Sequence, residues 1–243
     1  MSKKVLFSAI VGSKLYGIAN EDSDTDIRGV CLQPIESLLG LHTKEKYEES
    51  NGLTGKDKVE SIHFCLNKYI QLVLKGNPTI LEMAFVPDEF IIKDTKLGWK
   101  VREFVRNHCI SKEVFPAYMG YFQSQVTHLK KKNTEGKRQE LIDKYGYDVK
   151  FAAHAVRIAL QAIDIFKSGA ITPKIKGLHL IYIKRIHAGE VPFNAVIQLL
   201  TELETDMKEA KDNSTIRAMV NTQLVDSFLI GILKDYIGGK NVD

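Results

Sequence analysis

The sequence has no apolar run of about 18 residues, the length a membrane-crossing helix needs, so a transmembrane helix is excluded and no membrane partner is expected. Cysteine is scarce: Cys31, Cys65 and Cys109 are odd in number and widely spaced, with no Cys-x-x-Cys pair. That argues against a zinc site and a disulfide framework, and fits a reducing cytoplasm. The N-terminus, MSKKVLFSAIVGS, lacks the longer apolar region and small-residue cleavage site of a signal peptide, and reads as a first β-strand. Charge of one sign is also in short supply. A net charge of +4 permits a nucleic-acid partner without arguing for one, because a nucleic-acid footprint is a clustered basic stripe. The one dense cluster, His128 to Lys132, reads as the solvated end of a helix. So little basic surface disfavours a polymerase that tracks a template. No internal repeat or low-complexity tract appears. What remains, 44% hydrophobic and 26% charged over 243 residues, is an ordinary globular composition with length for a real core.

Patterning divides the chain in two. The first part mixes strand and helix signals. Strands are predicted over 5–11, 25–33 and 58–64, a short helix over 13–19, and turns at Asn51-Gly52 and Thr54-Gly55 within the polar stretch 42–58. Apolar residues at 66, 69, 70, 73 and 74 have helical spacing and stop at Gly76-Asn77-Pro78. After about Lys96 the chain reads as helical, with clear segments over 112–132, 148–168, 194–211 and 218–236. The expectation is an α+β protein in which a small mixed-sheet domain, residues 1–95, is followed by an all-helical domain, residues 96–243.

The chemistry concentrates between Gly12 and Val30. The apolar run Val5–Val11 leads into Gly12-Ser13, where a glycine lets backbone approach a phosphate and the serine hydroxyl can donate to it. Asp24 and Asp26 follow, two residues apart. On a strand they project to the same face, a carboxylate pair suited to Mg²⁺, which takes oxygen ligands and shares them with substrate phosphates. Ser-Asp-x-Asp alone is common in turns; the Gly-Ser step at this distance makes the catalytic reading the stronger one. Arg28 shares the face of the aspartates, where it either touches phosphate or pairs with them. Lys14 and Tyr16 either line a nucleotide pocket or are, respectively, solvated and packed.

The pattern G-S-x-x-Y-G-x-x-x-x-x-S-D-x-D-x-R-G-V resembles the signature of the DNA polymerase β-type nucleotidyltransferase superfamily, more narrowly a bacterial and phage family of predicted nucleotidyltransferases. KGNPTILEMAF (75–85) resembles that family's helix-turn-helix, YDVKFAAHAVR (147–157) its marker in the helical half, and IHAGE (186–190) a weaker third block. The resemblance implies a polymerase β-like fold, binding of a nucleoside triphosphate by Gly12, Ser13, Tyr16 and Arg28, and two Mg²⁺ ions bridged by Asp24 and Asp26. A third carboxylate is needed near the attacking hydroxyl. Counting back from Lys68-Tyr69, which match the family's helix start, favours Glu60, with Asp57 next and Glu82 more remote. Glu60 shares strand parity with Ile62 and Phe64, which is awkward for a core-facing strand unless it stands at the rim.

Lys150, His154 and Arg157 lie at spacings of four and three, on one helical face opposite an apolar one. A basic stripe of this kind is commonly solvated surface. Because helical domains of related transferases close over the active site, the resemblance implies that this one meets the triphosphate. Tyr118, Tyr121 and Phe122 read as core, and His63, His108, His179 and His187 receive no role. The expected activity is Mg²⁺-dependent transfer of a nucleoside monophosphate to a hydroxyl with release of pyrophosphate. The acceptor is a protein side chain, an RNA end or a small molecule, and the setting cytoplasmic. The alternative is a non-catalytic nucleotide-binding or sensor protein that kept the fold, which loss of a metal carboxylate would signal.

Overall fold

A computed structural model describes residues 3–21, 23–39, 41, 46–51, 59–129 and 137–239. The apolar run of the N-terminus forms β1 (Lys4–Val11), burying Leu6, Phe7, Ala9 and Val11. A one-and-a-half-turn helix, α1 (Gly12–Tyr16), leads to β2 (Thr25–Leu32). Then come α2 (Ile35–Leu39), β3 (Lys46–Asn51) and β4 (Val59–Cys65). Next α3 (Leu66–Leu74) and α4 (Pro78–Leu81) form the helical corner predicted at Gly76-Asn77-Pro78; Asn77 caps α4 by accepting from the Ile80 N–H at 3.3 Å. Single 3₁₀ turns then lead to a short strand, β5 (Ile91–Asp94), and α5 (Lys96–His108). The remaining helices are α6 (Phe115–Leu129), α7 (Lys137–Tyr145), α8 (Val149–Ser168), α9 (Gly177–His187), α10 (Phe193–Asp212) and α11 (Thr222–Ile237).

The five strands make one mixed sheet in the order β3-β4-β2-β1-β5. β2 and β4 are parallel; the other neighbours are antiparallel. This topology brings the end of β1 and the starts of β2 and β4 to one end of the sheet, which is where a site can be built from three strands. The protein is α+β, with its helices segregated from a small mixed sheet.

Packing divides the chain differently from the boundary expected after residue 95. One compact unit comprises Met1–Ile110 and Met219–Asp243, the other Ser111–Ala218. Helix α5 belongs to the sheet unit because Gly98 sits directly on β1: a Cβ there would collide with the Leu6 carbonyl oxygen. Arg102 of α5 pairs with Asp94 at 2.6 Å and donates to the Val86 carbonyl at 2.7 Å. Helix α11 returns to the same unit, stacking Phe228 on Phe104 with ring centroids 3.8 Å apart. The helical unit is therefore an insertion in the chain, and Lys112 N–H donates to the Arg217 carbonyl at 3.0 Å, so the chain enters and leaves it at one place. Among the described residues no helix is long and apolar enough to cross a membrane.

Candidate active site

Gly12 sets the geometry. Its backbone turns with φ +69°, a left-handed conformation natural only to glycine, and a Cβ added there would overlap the carboxylate oxygen Oδ2 of Asp26. The absent side chain is thus the seat of the Asp26 carboxyl. Asp26 lies opposite Val11 across the β1–β2 ladder and opposite Glu60 across β2–β4. Register partners on parallel strands share a face, so Asp26 and Glu60 stand side by side, with exposed Asp24 just before β2. Lys14 Nζ donates to the Thr25 hydroxyl, tying the Gly-Ser turn to the first residue of the aspartate strand.

The clustered charges act on one another. The Asp26 carboxyl is held above its ordinary value of 3.8, chiefly because burial disfavours the anion; Arg28 opposes this, and the negative charges of Glu60 and Asp24 add to it. Arg28 Nη2 lies 3.7 Å from Glu60 Oε1. Glu60 is exposed, with 54% of its side chain in water, because it stands at the start of β4; farther along the same face Val30, Phe7 and Ala9 are buried, so the carboxylate is at the rim.

The donor set suits a hard cation. Three carboxylates bear on one another here, and a divalent ion would relieve both their repulsion and the burial of Asp26. Asp24, Asp26 and Glu60 are the residues that would hold it. Among the described residues, however, no three acidic, histidine or cysteine side chains are gathered closely enough to hold a metal as they stand. The Arg28–Glu60 contact puts a guanidinium, itself a cation, beside Glu60.

Other expected residues lie elsewhere. Ser13 is half-exposed beside Gly12. Tyr16 is buried and donates to Glu82 Oε1 at 2.5 Å. That bond also removes Glu82, 1% exposed, as a third carboxylate. Asp57 and the Lys130–Lys132 part of the basic cluster lie outside the described residues. Lys150, His154 and Arg157 all fall on α8 of the helical unit, yet they do not form a solvated stripe. Lys150 is exposed and His154 half-buried, whereas Arg157 is 1% exposed. Arg157 Nη2 is 3.2 Å from His154 Nε2, which is also 3.1 Å from the Tyr121 hydroxyl. An arginine only donates, so in this contact the ring nitrogen is placed as the acceptor. The expected cationic row is one exposed lysine, an imidazole bonded to Tyr121, and a buried guanidinium. Thr25 and His187 have no role in the sequence reading; the first is the anchor of Lys14, and the second is a half-buried neighbour of Lys150 whose pKa is lowered by burial and then by that lysine, against Asp148.

A Gly-Ser turn after the first strand, an acidic pair at the start of the second, Asp24 just before it and Asp26 on it, and an acid on its parallel neighbour define a polymerase β-like nucleotidyltransferase protein. Residues 1–229 match RlaP, the RNA repair pathway DNA polymerase beta family, and the chain belongs to that family. It is 26% identical over 129 residues to an uncharacterized 38.9 kDa protein of Enterobacteria phage T4, covering 51% of this chain and 38% of that one. It is 30% identical over 118 residues to an uncharacterized protein of Methanocaldococcus jannaschii, covering 48% and 46%. The matched stretch is thus less than half the length of either curated relative. A crystal structure of a nucleotidyltransferase-like protein from Exiguobacterium sibiricum aligns with 86% of this chain and 69% of its own, at 9% identity and a TM-score of 0.32.

Proposed function

We propose that this protein is a Mg²⁺-dependent nucleotidyltransferase that moves a nucleoside monophosphate from a nucleoside triphosphate to a hydroxyl at an RNA end. The observation that carries the reading is the adjacency of Asp26 and Glu60 on parallel strands, with Asp26 seated over Gly12. The RNA acceptor is taken from the family's description as an RNA repair pathway group. In the reaction the acceptor oxygen attacks the α-phosphorus, the bond to the β-phosphate oxygen breaks, and pyrophosphate leaves. Bound Mg²⁺ supplies a lowered pKa at the attacking hydroxyl and neutralises charge on the phosphates. Asp24, Asp26 and Glu60 would hold the cation; Glu60 is also placed to take the hydroxyl proton; Gly12 and Ser13 give the phosphates close access to backbone and a hydroxyl donor. Arg28, which shares the strand face of Asp26, is the cation assigned to the triphosphate.

The test is calorimetric titration of the full chain with each of the four ribonucleoside triphosphates, with and without Mg²⁺, beside Asp24→Ala/Asp26→Ala, followed by transfer from the bound nucleotide to a 3′-hydroxyl RNA. Magnesium-dependent binding lost in the double variant supports the site, and label on the RNA supports the acceptor. No binding to any of the four by the native chain would refute the reading. Glu60→Gln should lower turnover on the order of 10²–10⁴-fold, the range of a lost general base, with a smaller change in nucleotide affinity. The Arg28–Glu60 contact at 3.7 Å favours one competing reading, a nucleotide-binding protein that does not turn over; tight binding without transfer to any hydroxyl would select it.

A further inference from the structure

Trp99 is the one tryptophan of the chain and half of it, 50%, is in water. It lies on α5, three residues after Lys96 and one before Lys100, so the three share a helix face. With Asp94 and Thr95 they line a groove of about 530 Å³. The floor is fixed. The Thr95 hydroxyl oxygen accepts from the Gly98 N–H at 3.0 Å, and both the hydroxyl and the N–H of Thr95 donate to the Leu6 carbonyl, at 3.0 and 2.9 Å. Asp94, the acid in the groove, is held by Arg102. Among the described residues neither Lys96 nor Lys100 makes an ion pair; Glu103, one turn on, is the nearest further acid on that face. A rigid indole half in solvent, flanked by two such cations, is a platform for a flat anionic ligand rather than for a hydrocarbon.

We propose that this groove binds single-stranded RNA, an unpaired base stacking on Trp99 while Lys96 and Lys100 meet the flanking phosphates; this rests on the RNA-end reading above. An aromatic platform beside cations is the combination that holds single strands with little sequence preference. Asp94 pairs with Phe7, four residues before Val11, the partner of Asp26, so the groove lies about 13 Å along β1 from the carboxylates. A strand whose end reaches Asp26 has its body a few nucleotides back at Trp99.

Because Trp99 is the one tryptophan, its emission reports on the groove alone. The full chain is titrated with a short unstructured oligouridylate, without nucleoside triphosphate, following both tryptophan emission and the anisotropy of the labelled RNA. The expected result is saturable quenching, with affinity that falls as salt rises. By anisotropy, Trp99→Ala should weaken binding roughly five- to a hundred-fold, Trp99→Phe less. Lys96→Met/Lys100→Met should flatten the log–log salt slope by about two. RNA that binds without changing the emission, and equally well to Trp99→Ala, would overturn the groove. So would no RNA binding, or self-association that Trp99→Ala abolishes, which would mark this face as a protein contact. Asp24→Ala/Asp26→Ala should quench like the native chain. Quenching without transfer therefore removes the reaction and keeps the groove, and transfer without quenching does the reverse.

Discussion

Asp26 is the residue that the fold strains to keep. Its carboxyl is half-buried and held above 3.8 by burial, then by its acidic neighbours against Arg28. Between the ordinary and the raised pKa the folded state binds the extra proton, so stability falls as pH rises through that window, and the ionised group remains a cost at neutral pH. Asp26→Asn should therefore raise the melting temperature at pH 7 while abolishing transfer. The gain should vanish near pH 3, where the native carboxyl is protonated in both states. An unchanged or lower melting point at pH 7 would show that the aspartate is not destabilising. Gly12→Ala makes the complementary test. It forces a non-glycine residue to φ +69° and drives a methyl into the Asp26 carboxyl. It should cost on the order of 1–2 kcal/mol of stability and at least about a hundredfold in transfer, the scale of a misplaced reacting group. Circular dichroism, thermal melts and the transfer assay together separate the two effects.

At the scale of elements, Asp148 governs the helical unit. It is 1% exposed and caps α8, accepting from the N–H groups of Lys150 and Phe151 at 2.9 and 3.1 Å. Asp148→Ala should cost about 1–2 kcal/mol, read from denaturant melts. It should also push the His187 pKa further down, because Asp148 is the influence that opposes burial and Lys150 there; an NMR titration of that imidazole reads the change. Much of this layer was legible in the sequence. The strand at 5–11, Asp26 on β2 with Asp24 just before it, the stop at Gly76-Asn77-Pro78 and helix 148–168 are local signals: apolar runs, capping residues and breakers. What was not legible depended on partners far away in sequence. β3 was read as loop because its polar residues gain strand form only by pairing with β4, and β5, four residues long, exists as the edge partner of β1. Arg157 is expected on a basic face that meets the triphosphate, yet it is buried, because helical spacing gives a face but not what packs against it. Tyr16 looked like a pocket residue because Glu82 is sixty-six positions away.

For the whole molecule, the informative fact is that the sheet unit is completed by residues on both sides of the helical one. A chain in which 111–218 is replaced by a short glycine-serine linker should still fold as the sheet unit, since Lys112 and Arg217 are hydrogen-bonded neighbours. A chain ending at 110 should lose the Phe104–Phe228 stack and the burial of Val225 and Ile232, and melt well below it. Equal melting points for the two would show that α11 contributes nothing to the unit.

That insertion also imposes an order in time. On the ribosome the five strands and α5 emerge first, then the whole helical unit, and α11 after it. At about 5–20 residues per second, the intervening 108 residues, Ser111 to Ala218, take roughly 5–20 s to synthesise. Throughout that interval the aromatic face of Phe104 waits uncovered on a nascent chain, so the helical unit can finish folding before the unit that begins the protein is closed.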